Sequence, residues 1–159
     1  MRSLVRAAAA SLVVTVLLVA PVAVAADTTG GGGSSTGFGT MSITIGRTAT
    51  LQARLVVNVP VTVTCTSPAD AISVDGTFAA LQVQQASGKG VAQATGFGQQ
   101  LTCDGLPHTF TMSAAATGLV FHGGSAVAMV DAITCGTLSD FTFACTSVIT
   151  PWTTIRIAG

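Results

Sequence analysis

The regular alternation of apolar and polar residues over positions 41–159 constrains the fold of this chain more than any other feature. In residues 59–66, three valines and Cys65 alternate with one proline and three threonines. A period of two places successive side chains on opposite faces of a strand, whereas a helix requires a period near 3.6. Turn-forming residues interrupt the alternation at short intervals. The pattern predicts an all-β fold in which Cys65 faces inward.

The number and length of these segments predict the architecture. Seven to nine short strands with regular turns between them are typical of an immunoglobulin-like antiparallel β-sandwich. We place the clearest strand pair at residues 50–58 and 59–66, and a turn at Asp75-Gly76 before the next strand. A further short strand is expected near residues 99–103.

The first 26 residues have the composition of a secretory signal peptide. Two arginines are followed by an almost wholly apolar run at residues 12–19 and by an Ala-Val-Ala exit, so cleavage is expected after Ala25 or Ala26. Residues 7–26 carry no charge and are long enough to span a bilayer, which leaves an uncleaved anchor as the alternative. We predict a secreted, extracellular protein with no membrane attachment after cleavage.

Composition defines the remaining organisation and excludes some partners. Residues 27–40 are rich in glycine, serine and threonine and predict a flexible linker, so the folded domain is expected at residues 41–159. Two of the six basic residues lie in the predicted signal, which leaves four basic residues against six acidic ones. Such a surface has no electrostatic footprint for nucleic acid or anionic lipid. We therefore expect neither as a partner.

Four cysteines, Cys65, Cys103, Cys135 and Cys145, follow the predicted signal. An exported chain meets an oxidising environment, in which paired cysteines are expected. Four cysteines allow three pairings, and the sequence alone leaves all three open. We favour Cys135 with Cys145 because this pair is close enough to join the strands of one hairpin. Cys65 with Cys103 then joins two separate strands.

Residues suited to catalysis or metal binding show no organised pattern in the sequence. The two histidines and the aspartates of the predicted domain do not accompany a signature around any serine, cysteine or threonine. The sequence also lacks a Cys-x-x-Cys, a His-x-x-x-His and an acidic calcium loop. We predict a protein that is not an enzyme and binds no metal or cofactor.

The tetrapeptide Thr-Gly-Phe-Gly occurs twice, at residues 36–39 and 95–98. A glycine-rich loop binds phosphate when it leads from a strand into the N-terminus of a helix. Neither copy has that context in the predicted strand pattern. The repeat is therefore not interpreted as a phosphate site.

Exposed aromatic residues are the candidates for recognition. In residues 152–157, two isoleucines share a face with Thr153, whereas Trp152 falls on the side of Thr154 and Arg156. The indole either caps the end of the sandwich after Pro151 or lies exposed as a recognition aromatic. Two aromatic residues of the Cys135 to Cys145 hairpin, Phe141 and Phe143, are further candidates.

Several segments resemble a known group of proteins. These are residues 61–65 (VTVTC), 101–105 (LTCDG), 107–111 (PHTFT) and 121–128 (FHGGSAVA). Together they resemble small secreted actinobacterial proteins that are immunoglobulin-like sandwiches without an assigned activity. The resemblance implies export, a sandwich fold and a bridge between Cys65 and Cys103. It implies no active site.

Three functions remain open from the sequence. The first is a secreted, non-catalytic interaction or surface-associated module with a protein partner of unknown identity. The second is a carrier of a small apolar ligand, similar to the secreted chromoprotein antibiotics, which also combine a β-sandwich with two disulfides. The third is a proteinase inhibitor that presents residues 136–144 as a disulfide-braced loop.

Overall fold

The computed structural model describes residues 37–98 and 100–159, and its regular structure there consists of nine β-strands. The strands are β1 (Thr40–Ile45), β2 (Thr48–Gln52), β3 (Val56–Thr66), β4 (Ala71–Ser87), β5 (Gly90–Phe97), β6 (Asp104–Ala116), β7 (Gly124–Leu138), β8 (Phe143–Ile149) and β9 (Thr153–Ala158). The prediction of an all-β fold is confirmed. The predicted signal peptide at residues 1–26 and most of the predicted linker lie outside the described residues.

One sheet closes on itself, where the sandwich prediction expected two facing sheets. The strands pair in the order β1-β3-β2-β9-β7-β4-β5-β6, and β6 pairs back with β3. Seven strands therefore form a closed barrel, while β1 and β8 lie outside the ring on β3 and β7. Strands β3 and β7 are each long enough to pair with two strands along one edge, which accommodates β1 and β8 outside the ring. Closure leaves fewer free strand edges than an open sheet would.

The strand pair expected at residues 50–58 and 59–66 is placed differently. The chain reverses at Ala53 and Arg54, which have φ angles of 49° and 60°, and β3 then runs without a break through Pro60. The Pro60 carbonyl accepts a hydrogen bond of 2.8 Å from the N–H of Gly46. Gly46 lies between β1 and β2, so the N–H that proline lacks would point to a gap in the neighbouring edge.

Two other local predictions are wrong. The expected turn at residues 75–76 is a bulge within the continuous strand β4. The short strand expected near residues 99–103 is also absent from residues 100–103, which form an irregular segment. This segment is held by the buried hydroxyl of Thr77, which donates to the Leu101 carbonyl at 2.9 Å and accepts from the Leu101 N–H at 3.0 Å. Side-chain hydrogen bonds here replace a strand ladder.

The interior of the barrel is filled by small and medium-sized apolar side chains. They alternate along the strands with outward-facing residues, as the period of two requires. The largest of them are Val57, Val59, Val61, Val63, Leu81, Val83, Met112, Phe121, Val130, Ile155 and Ile157, all almost completely buried. The core therefore consists of the inward faces of nearly every strand.

A second, smaller core extends the domain towards the N-terminus. Phe38 is completely buried and packs with Leu138 and Ala144. A Cβ atom at Gly136 would lie 2.2 Å from Cζ of Phe38, so only glycine leaves room for the ring. Phe38 therefore packs with the domain although it lies within the range predicted as a linker. The linker prediction was based on the glycine-rich composition around Phe38 and did not take into account the large apolar side chain of this one residue.

Both predicted disulfides are confirmed. Cys65 faces the interior and bonds to Cys103 in the irregular segment, which fastens that segment to the barrel. Cys135 and Cys145 lie directly opposite each other and join β7 to β8 on the outer side. Two disulfides indicate an oxidising environment. Within residues 37–98 and 100–159, no helix has the length and apolarity needed to cross a bilayer.

Candidate functional site

The outer side of β4, β5, β7 and β8 carries large apolar side chains that face solvent. We call this surface the apolar face and define it by Phe78, Ala80, Phe97, Met129, Ile133, Ile149 and Trp152. Phe97 is 82% exposed, Ile149 64%, Phe78 54% and Trp152 44%. These side chains point outward because their strand neighbours, such as Ala79 and Leu81 in β4, point into the core.

The strand register makes the apolar face continuous. One row across the sheet contains Phe97, Ala80, Asp131 and Ile149, and the next contains Phe78, Ile133 and Ser147. Side chains that are directly opposite each other on neighbouring strands lie about 5 Å apart. On the other side of the Asp131 row, continuing the register of β7 and β9 by one residue places Trp152 beside Met129. The exposed groups are therefore neighbours and form one surface.

The predicted recognition residues lie on or near this face. Trp152 is at one end, and Phe143, which is 62% exposed, lies beyond the Cys135–Cys145 bridge at the other end. Trp152 lies beside Met129 and Phe143 beside Thr137, eight residues further along β7. At about 3.4 Å per residue, these two ends are roughly 27 Å apart. Phe141 occupies the tip of the connecting turn and is 82% exposed with a φ of 64°. Bulky residues rarely adopt a positive φ, so the backbone of Phe141 has an unusual conformation for an aromatic residue.

Sequence reasoning missed most of the apolar face. It did not identify Phe78, Phe97, Met129, Ile133 or Ile149. A signal is present in residues 126–133, which are apolar at both odd and even positions except for Asp131. A strand with this pattern buries both faces or leaves an apolar face in solvent. Choosing between the two requires the neighbouring strands.

The outer side of β1, β3 and β6 has the opposite chemistry. We call it the hydroxyl face; it consists of Thr40, Ser42, Thr44, Thr62, Thr64, Thr66, Thr109, Thr111 and Ser113. Neighbouring hydroxyls hydrogen-bond across the strands, with Oγ1 atoms 2.7 Å apart in Thr40 and Thr66 and 2.8 Å apart in Thr62 and Thr109. The same chain thus covers one side with hydroxyl groups and another with aromatic and aliphatic groups.

The two histidines lie in different local networks. Nε2 of His108 is 2.8 Å from Oδ1 of Asp104, beside a pocket of about 210 Å³. The backbone N–H of His122 donates to Oε1 of the buried Gln85 at 2.9 Å. The pocket is smaller than the roughly 300–1,000 Å³ typical of small-molecule sites. We interpret the contact between His108 and Asp104 as a brace at the irregular start of β6.

If the brace is present, it should affect the pKa of Asp104 and the dependence of stability on pH. The hydrogen bond with His108, and then that from the Leu106 N–H, holds the pKa of Asp104 below its usual 3.8. We expect His108→Ala to raise the pKa of Asp104 towards that value, measured by NMR titration of the side-chain carboxyl carbons. Since the folded pKa is the lower one, the stabilisation exists above the usual pKa and is lost as pH falls through the folded value.

Asp140 provides the internal control for this titration. The Thr142 N–H lowers its pKa, and this interaction does not involve His108. The pKa of Asp140 should therefore be the same in both proteins. An unchanged pKa of Asp104 in the variant would contradict the brace.

Comparisons with protein-family models, curated proteins and solved structures find no match for this chain. The geometry of the apolar face is therefore the basis on which function is proposed.

Proposed function

We propose that this chain is a secreted, non-catalytic interaction module that binds a protein partner through the apolar face. The barrel would serve as immunoglobulin-like sandwiches do, as a stiff framework that presents one side of a sheet. Secretion and the immunoglobulin-like character are parts of this proposal. The pair of disulfides and the alternating strand pattern support them.

The observation that carries the proposal is the contrast between the two outer sides of the barrel. Soluble monomers rarely expose contiguous apolar patches larger than a few hundred Å². Here the residues of the apolar face occupy the rows from Met129 to Ile133 on four neighbouring strands, roughly 14 Å by 14 Å between backbone positions. Other strands of the same barrel carry threonine and serine on their outer side. The fold therefore does not require outward-facing apolar residues.

The rigidity of this surface supports the same conclusion. Strand β7 runs through its centre and pairs along both edges, with β4 on one side and with β8 and β9 on the other. The Cys135–Cys145 bridge fastens β8 to β7 beside the exposed groups. A preorganised surface loses little conformational entropy on binding. Aromatic anchors on such a surface are typical of the residues that dominate binding energy.

Site-specific photo-crosslinking tests the proposal. Benzoylphenylalanine placed at Phe97 should crosslink discrete proteins from the envelope or culture medium of the producing cell. The matched control carries the same group at Thr111, on the hydroxyl face. Crosslinking from position 97 should disappear when Phe78→Ser and Ile149→Ser are added, because these changes remove neighbouring anchors.

Two results decide this experiment. The variants must retain the circular dichroism spectrum and the Tm of the parent, which we expect because the substituted side chains are exposed. Equal crosslinking from positions 97 and 111, or crosslinking that persists after the two serine substitutions, would contradict the assignment of the apolar face as the binding surface.

A further inference from the structure

One charged residue lies within the apolar face. Asp131 projects outward from β7 and is exposed. Ala80 and Ile149 are directly opposite it on the two neighbouring strands, while Met129 and Ile133 flank it along its own strand. Among residues 37–98 and 100–159, no basic side chain forms a salt bridge with its carboxylate. The centre of the surface is therefore a carboxylate surrounded by apolar groups.

The row that contains Asp131 has a shallow notch. Only the methyl group of Ala80 stands between Asp131 and Phe97, and Phe78 is two residues from Ala80 on the same strand. Two aromatic rings and one carboxylate thus border the smallest side chain of the face. Aromatic faces attract cations through their quadrupole, and a carboxylate attracts them directly. The notch has the chemistry of a site for an ammonium or guanidinium group.

Covering this surface with a purely apolar partner is unfavourable. A carboxylate that loses water without gaining a partner is destabilised, as is the remaining member of a buried ion pair whose partner has been removed. A partner that brings a cation to Asp131 avoids this loss. The carboxylate thus selects among apolar partners by charge.

A second copy of the chain fits this surface poorly. A two-fold axis through the centre of the face would bring two Asp131 carboxylates together. An axis displaced along β7 would have to bring a basic residue of each copy, such as Arg156 on the neighbouring strand, to Asp131 of the other. Arg156 lies opposite Ser125, roughly 20 Å from Asp131 along the strand. Charge complementarity therefore favours a different protein.

Resting on the proposed function, we infer that the partner presents one arginine or lysine flanked by apolar side chains, and that this cation binds Asp131 in the notch over Ala80. The apolar flanks cover Phe78, Phe97 and Ile149. Electrostatic complementarity of this kind sets specificity more than it sets overall affinity. Asp131 is then the specificity-determining residue of the surface.

A random dodecapeptide display library tests the inference on the protein with both disulfides intact. Peptides are selected on the parent and counter-selected on the variant with Phe78→Ser and Phe97→Ser. We expect the enriched peptides to contain a basic residue with apolar neighbours. Their affinity is then measured by fluorescence of Trp152, the only tryptophan in the chain and a member of the apolar face.

The deciding comparison uses a matched pair of peptides and a matched pair of variants. Replacing the arginine of the best peptide with the neutral isostere citrulline should weaken binding to the parent at least tenfold. On Asp131→Asn the two peptides should bind within twofold of each other. Asp70→Asn removes the same charge from a turn outside the apolar face, so it should preserve the tenfold preference.

Failure of the inference is distinguishable from failure of the proposed function. Enriched peptides that depend on Phe78 and Phe97 but bind Asp131→Asn with the same preference would overturn only the inference. If selection on the parent alone enriches peptides but none survives the counter-selection, the binding surface itself is contradicted. If peptides survive the counter-selection but none loses its preference for arginine on Asp131→Asn, only the inference is overturned. A dimer in sedimentation that Arg156→Gln dissociates would replace the foreign partner with a second copy.

Discussion

Replacing Phe38 with alanine is expected to lower the free energy of unfolding by about 3–5 kcal/mol, the usual cost of removing a fully buried aromatic side chain. Phe38 is completely buried among Leu138, Ala144 and Ala71, and its ring lies against the backbone of Gly136. The change leaves a cavity that this small cluster cannot refill. Urea unfolding followed by circular dichroism measures the loss.

The second copy of the Thr-Gly-Phe-Gly tetrapeptide supplies a control with the same local sequence. Phe97 is 82% exposed, so Phe97→Ala should change the free energy of unfolding by no more than about 0.5 kcal/mol. Similar losses in both variants would be inconsistent with the burial of Phe38. The pair separates the effect of tertiary position from that of the tetrapeptide itself.

Removing the Cys65–Cys103 bridge by replacing both cysteines with serine should destabilise the domain by about 4 kcal/mol. The bridge closes a loop of 38 residues, and the entropy of the unfolded chain increases with loop length when such a bond is lost. The same change at Cys135 and Cys145, which are 10 residues apart, should cost about 3 kcal/mol. Against a typical stability of about 5–15 kcal/mol, each is a large fraction.

The two double variants are compared by urea unfolding at equal protein concentration. The larger loss is expected for the Cys65 and Cys103 pair, which also releases residues 100–103 from the barrel. The slope of free energy against urea should change too, because the uncrosslinked unfolded chain exposes more surface. A larger loss on removing the outer bridge between β7 and β8 would contradict the loop-entropy argument.

The alternation of apolar and polar residues was sufficient to predict the features of the fold that depend on single strands. A period of two was sufficient to predict an all-β chain and the inward position of Cys65, since both depend on the strand itself. The favoured disulfide pairing also followed, because Cys135 and Cys145 are close enough to share a hairpin. Closure of the barrel did not follow. It depends on which strands occupy both edges of β3 and β7, and alternation carries no information about that.

The candidate site was predictable only in part, for the same reason. Alternation in residues 152–157 made Trp152 a recognition candidate, and its place in the disulfide-bridged hairpin made Phe143 another. Phe97 and Phe78 become neighbours of Asp131 only through the pairing of β5, β4 and β7. Phe38 and Phe97 share a tetrapeptide, yet one is buried and the other exposed. Local sequence cannot distinguish them, because burial depends on the rest of the domain.

The parallel pairing of β2 with β9 has a consequence for the order of folding. It places Thr48 beside Arg156, near opposite ends of the domain in sequence. Because a polypeptide is synthesised from its N-terminus, this seam cannot form until β9 has emerged. Contacts between such distant segments slow folding. Closure of the barrel therefore waits for β9, and until β9 pairs, the edges of β2 and β7 remain open to misassociation.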